Sequence, residues 1–221
     1  MIRMFLSFFI LASSSMALAH PGFVDLSEVC PGIQVELSYA TTQNFTGEIV
    51  PGYLARKALM AKAPAMIVCQ VQEAALRKGY RLKIFDSYRP AKAVAFFLKW
   101  AERPENNPDN KEIYYPNYTR QQILDLGFIA RRSSHSKGSA IDLTLVSVKT
   151  GEEINMGTPF DYFDELSHTE SKEITLDQKA NRMILRNLME SHGFKNFSQE
   201  WWHYSFRPEP FPDQYFDFDI E

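Results

Sequence analysis

The stretch Ser133-Ser134-His135-Ser136-Lys137-Gly138-Ser139-Ala140-Ile141-Asp142-Leu143-Thr144-Leu145 changes character halfway along. Small polar residues around one glycine give way to alternating apolar and polar side chains, the pattern of a tight loop feeding a half-buried strand. On a strand, Ile141, Leu143 and Leu145 share one face, and Asp142 and Thr144 share the other, so Asp142 is expected to point away from the core. Gly138 lets the loop turn back without a Cβ clash, which brings His135 towards Asp142.

Working outward, the partner of this pair lies near the C-terminus, in Glu200-Trp201-Trp202-His203. Two imidazoles and one carboxylate make three metal ligands and leave a fourth position open, as in catalytic rather than structural zinc sites. Glu200, on the same segment as His203, is then placed to take a proton from an activated water. Each residue also has an ordinary role. A single His is usually structural or solvated, and an Asp at a strand start often caps a turn.

The rest of the chain supports a globular reading. With 45% hydrophobic and 23% charged residues it has the composition of a folded protein, neither disordered nor membrane-embedded. A net charge of -3 lacks the basic excess of a phosphate-backbone binder, so no nucleic acid partner is expected. Residues 1–19 combine an early Arg3, a short apolar run and Ala17-Leu18-Ala19. This reads as a cleavable export signal, too short to span a bilayer, and it predicts a periplasmic or secreted protein without a membrane span after cleavage. Residues 20–221 then form one domain. Cys30 and Cys69 are either a disulfide, as an exported protein permits, or two buried thiols.

In order, residues 24–26 and 34–39 read as short strands, and the polar loop that follows Tyr39 makes that side chain either a core aromatic or a pocket phenol. Residues 54–78 read as an Ala-rich helix divided at Pro64 and ended by Gly79. A strand over 81–85 delivers Asp86-Ser87-Tyr88-Arg89-Pro90. Arg89 is there either to meet a carboxylate or a developing oxyanion, or simply to pair with Asp86. A helix follows over 91–101, then a Pro- and Asn-rich surface loop over 102–118 and a short helix over 120–126. After the central strand come a turn at 149–152 and an acidic cluster of Asp161, Asp164 and Glu165. That cluster is either solvated or a source of one carboxylate for a substrate ammonium. A helix over 177–191 and a strand over 194–206 complete the chain. His168 and His192 are assigned to no metal.

Together, Ser-x-His-x-x-Gly-x-Ala-x-Asp (133–142), Glu-Trp-Trp-His (200–203) and Asp-x-Tyr-Arg-Pro (86–90) resemble the VanX-type D-alanyl-D-alanine dipeptidases. The likeness extends through Tyr39-Ala-Thr-x-x-Asn-Phe-Thr-Gly, Tyr114-Tyr-Pro-Asn and Tyr215-Phe-Asp-Phe, nearly the whole chain after residue 19. The resemblance implies an α+β fold with a central, mostly antiparallel sheet flanked by helices, and one Zn2+ per chain held by His135, Asp142 and His203. It implies Glu200 as catalytic base, Arg89 as the group that stabilises the transition state, and Ser133, Tyr39 and Asp161 as the lining of a dipeptide pocket. The expected reaction is hydrolysis of D-alanyl-D-alanine. The rival is a zinc carboxypeptidase acting on peptidoglycan stem peptides. The export signal departs from the best-known relatives, which work in the cytoplasm.

Overall fold

The computed structural model describes residues 20–221; the export signal expected over 1–19 lies outside them. At the centre stands β5, Ala140–Ser147, and nearly every residue of it is buried. Its neighbours make a five-stranded sheet in the order β2-β4-β5-β7-β6, with β2 Gln34–Val35, β4 Tyr80–Asp86, β6 Phe194–Asn196 and β7 His203–Phe206. The β2/β4 pair is parallel and the other three pairs are antiparallel. A two-stranded ribbon pairs β1, Phe23–Asp25, with β3, Leu59–Ala61.

The described residues form two hydrophobic clusters, and the apolar face of β5 belongs to the first. Ile141, Leu143 and Leu145 pack with residues of α2 (Lys62–Leu76) and α6 (Leu176–Glu190), among them Val68, Val71, Leu185 and Leu188. A second, aromatic cluster gathers Tyr39, Phe45, Tyr53, Phe97, Trp100 and Tyr115 around α3, Ala91–Ala101. Asp142 and Thr144 therefore do leave the aliphatic core, as alternation requires, but the face they enter is covered by protein: Asp142 is 2% exposed. Arg89 links that face to the aromatic cluster. It bonds Asp142 and lies over the rings of Tyr39 and Phe97.

Several expected elements change extent. The helix expected over 54–78 begins only at Lys62, because Leu59–Ala61 is taken into the β1/β3 ribbon. Pro64 sits in the first turn of α2, where its missing N–H has no partner to lose, and so divides nothing. Within the Pro- and Asn-rich loop a helix forms, α4 Pro108–Tyr114, capped by the Asn107 side chain on the N–H of Asn110. It is followed by α5, Arg120–Asp125, with a full capping box. The last expected strand is a hairpin, β6 and β7, joined by the turn that carries Glu200.

Cys30 and Cys69 form a disulfide, with Cα atoms 5.1 Å apart, tying the end of α1 (Leu26–Val29) to α2. Among the described residues no helix is long and apolar enough to cross a membrane.

Candidate active site

Strand register places the polar residues first. Asp142 of β5 faces Asp86 of β4 on one side and His203 of β7 on the other. Directly paired residues share a sheet face, so these three side chains stand in a row across three strands. A bulge between Ile84 and Asp86 turns Asp86 into that row. His135 arrives from the 3-10 turn Ser134–Lys137, which Ser133 caps by accepting from the His135 N–H. Gly138 ends the turn at φ 67, and the chain enters β5 two residues later.

The ring nitrogens are oriented by their outer partners. His135 Nδ1 lies 2.6 Å from the carbonyl oxygen of Ser87; a carbonyl only accepts, so Nδ1 carries the proton and Nε2 presents a lone pair inward. That Nε2 is 3.2 Å from Asp142 Oδ2 and 3.1 Å from His203 Nδ1, which is itself 2.9 Å from Asp142 Oδ1. Three electron-pair donors thus converge, each within 4.8 Å of the others. A proton bridges two such atoms at most. A divalent cation satisfies all three, and the two-imidazole, one-carboxylate set suits zinc and leaves a further position free.

Electrostatics agree with that donor chemistry. Burial alone would raise the Asp142 carboxyl, but the adjacent imidazoles of His135 and His203 hold it well below the usual carboxylate range. Burial lowers the His203 imidazole despite Asp142, favouring the neutral ligand form. Glu200 Oε2 stands 4.0 Å from His203 Nδ1. Burial, with Asp142 and Asp161 nearby, pushes its carboxyl well above the ordinary value.

Tyr39, Arg89, Ser133, His135, Asp142, Asp161, Glu200 and His203 all line one cavity of about 170 Å³. Phe45, Phe97, Phe128 and Phe163 supply apolar walls. Arg89 donates from Nε to Asp86 at 2.8 Å, and its terminal nitrogen reaches Asp142 at 3.4 Å. It therefore pairs with Asp86 and also faces the cavity. Tyr39 donates its hydroxyl to Asp161 at 2.8 Å. Asp161 is buried and adopts φ 60, the one positive φ outside glycine among the described residues. Asp164 and Glu165 do not line the cavity.

Sequence reasoning missed the supports. Tyr53 donates to the other oxygen of Asp86 at 2.8 Å, which leaves Asp86 oriented towards Arg89. Asn196 donates to the carbonyls of both Glu200 and His203, clamping the turn between β6 and β7. No local pattern marks Tyr53 or Asn196; each acts only through the folded pairing.

Fold and site define a metal-dependent hydrolase with a pocket for a small substrate. The family model described as D-ala-D-ala dipeptidase, in the M15 peptidases, matches residues 19–221, and the chain belongs to that family. It is 44% identical over 200 residues to a D-alanyl-D-alanine dipeptidase of Enterococcus faecium, covering 90% of this chain and 98% of the relative. It is 41% identical over 198 residues to one of Streptomyces coelicolor, with 90% and 98% covered. A third, from Escherichia coli, is 32% identical over 181 residues, with 82% of each chain covered.

Proposed function

We propose that the protein is a zinc dipeptidase that hydrolyses D-alanyl-D-alanine to two D-alanines. The observation that carries this reading is the meeting of His135, Asp142 and His203 with Glu200 and Arg89 in one small cavity. The family's own substrate supports the choice of dipeptide and its stereochemistry.

His135 Nε2, Asp142 and His203 Nδ1 would hold a zinc ion, which would supply Lewis acidity towards water and the scissile carbonyl. Glu200 removes the proton from the attacking water and returns it to the leaving amine. A carboxyl raised by burial suits both transfers near neutral pH better than an ordinary one. Arg89, held from behind by Asp86, offsets the negative charge that grows on the carbonyl oxygen. Asp161 with the Tyr39 hydroxyl receives the substrate ammonium, since a cation entering a dry pocket needs a buried partner. Ser133 accepts from the His135 N–H and so keeps its own hydroxyl proton to donate to the substrate.

The test measures alanine release from D-alanyl-D-alanine by the zinc-loaded protein, beside a stem pentapeptide. Dipeptide turnover well above a Glu200→Ala control is expected. Turnover no greater than that control removes the proposal, and faster cleavage of the pentapeptide replaces it with the carboxypeptidase reading.

The same proposal places the active chain, residues 20–221, outside the cytoplasm. The signal-like composition of 1–19 and the Cys30–Cys69 disulfide support this. The mass of the protein from a fractionated cell checks it; a chain still beginning at Met1 in the cytosol contradicts it.

A further inference from the structure

Arg182 lies in α6 with no exposed surface and does not line the cavity. A guanidinium without water is costly unless its charge is matched. Among the described residues no carboxylate pairs with it. It donates instead to two carbonyls, Nε to Met156 at 2.6 Å and Nη1 to His168 at 2.7 Å. Burial brings its pKa down to about 10, so it remains charged at neutral pH.

The two carbonyls bracket one segment. Between Met156 and His168 the chain contains no strand and no α-helix, only a turn at Phe160 and Asp161 and the short 3-10 turn Glu165–Ser167. It carries Asp161 at φ 60, a left-handed turn position that aspartate tolerates better than most residues. Phe163 on the same segment forms part of the pocket wall. Thr158 and Ser167 join their hydroxyls at 2.9 Å, Ser167 donates to the Tyr162 carbonyl, and Trp201 donates to Thr158 at 2.8 Å. The segment is thus a closed loop, drawn together at its ends by one cation and fastened to the turn that bears Glu200.

We propose that Arg182 is a positioning residue for the ammonium subsite: by fixing both ends of the 156–168 loop it holds the Asp161 carboxylate where the substrate amine must dock. This rests on the reading of Asp161 as the partner of the substrate ammonium. Arg182 touches neither substrate nor metal ligand, so its contribution falls on binding of the amine and not on the proton transfers at Glu200.

The experiment compares wild type, Arg182→Met and Arg182→Lys on D-alanyl-D-alanine and on N-acetyl-D-alanyl-D-alanine, which has no ammonium, with zinc content measured for each. Arg182→Met is expected to raise KM for the free dipeptide about tenfold, the scale of one lost charge-assisted hydrogen bond at a buried site, with kcat within about threefold. Zinc content and the residual kcat/KM on the acetylated dipeptide stay at wild-type values. Arg182→Lys, which keeps the charge and reaches one carbonyl, falls between. Equal losses on both substrates, or an unchanged KM, overturn the proposal. If Arg182→Met does not fold, Arg182→Lys carries the same comparison, and a KM ratio between the two substrates identical to wild type overturns it. Wild type that shows no preference for the free amine instead overturns the assignment of Asp161.

Discussion

At the scale of single residues, the proposed role of Glu200 separates turnover from metal retention. Its carboxylate lies 4.0 Å from His203 Nδ1, beside the donor set and outside it. Glu200→Gln keeps its volume and loses its capacity to accept a proton. Turnover should fall about 10²- to 10⁴-fold, the usual share of a general base, while metal analysis still finds one zinc per chain. His203→Ala should do the opposite first: it removes a ligand, and zinc is lost on dialysis before activity is measured. The convergence of His135, Asp142 and His203 was anticipated from their motifs only as one of two open readings, and the family resemblance decided between them. The tautomer of His135 was not anticipated, because it depends on the Ser87 carbonyl in the bend after β4. Nor was the grip on Asp86 by Tyr53, which crosses from a loop that shows no pattern.

At the scale of elements, the turn into β5 makes a sharp demand. Gly138 has φ 67, and a Cβ there would collide with the ring of Phe23 and come within 3.2 Å of the Ala61 backbone nitrogen. Gly151 has φ 75 and nothing within 4 Å of such a Cβ. Gly151→Ala should therefore cost only the backbone strain, about 1 kcal/mol, and leave zinc affinity unchanged. Gly138→Ala should cost about 2–3 kcal/mol more through the clash and loosen zinc by moving His135. Chemical denaturation and zinc titration of the pair separate the two effects. β5 and α3 were readable because their apolar patterns are long and unambiguous. Leu59–Ala61 was not, because a short apolar run beside a helix looks like one more turn of it. α4 escaped notice although Asn107-Pro108 is a helix-start signal, since the surrounding Pro and Asn residues read as loop.

For the whole molecule, two constraints act through the unfolded state and through ligation. The disulfide closes a separation of 39 residues, and removing it should lower the unfolding free energy by about 4 kcal/mol. It ties α1 to α2 on the aliphatic side of the sheet, away from the cavity, so protein reduced while still folded should keep its kcat. Thiol titration with and without denaturant, beside denaturation curves of Cys69→Ala, checks both statements. Zinc binds the assembled donors and not the open chain. Chelation should therefore lower Tm, and free zinc at about 1,000 times its Kd should restore about 4 kcal/mol. Scanning calorimetry across a zinc series would show no shift if the three donors did not share one ion.

The row Asp86, Asp142, His203 has a kinetic consequence. Each comes from a different strand, and sliding β5 by a single position would send Asp142 to the α2 side, leaving two imidazoles without their carboxylate. A chain diluted out of denaturant can capture the ion tightly only after β4, β5 and β7 have zipped in the native alignment. Disappearance of zinc from a coloured indicator would then serve as a stopwatch for strand alignment, separate from the collapse that fluorescence of the buried tryptophans reports.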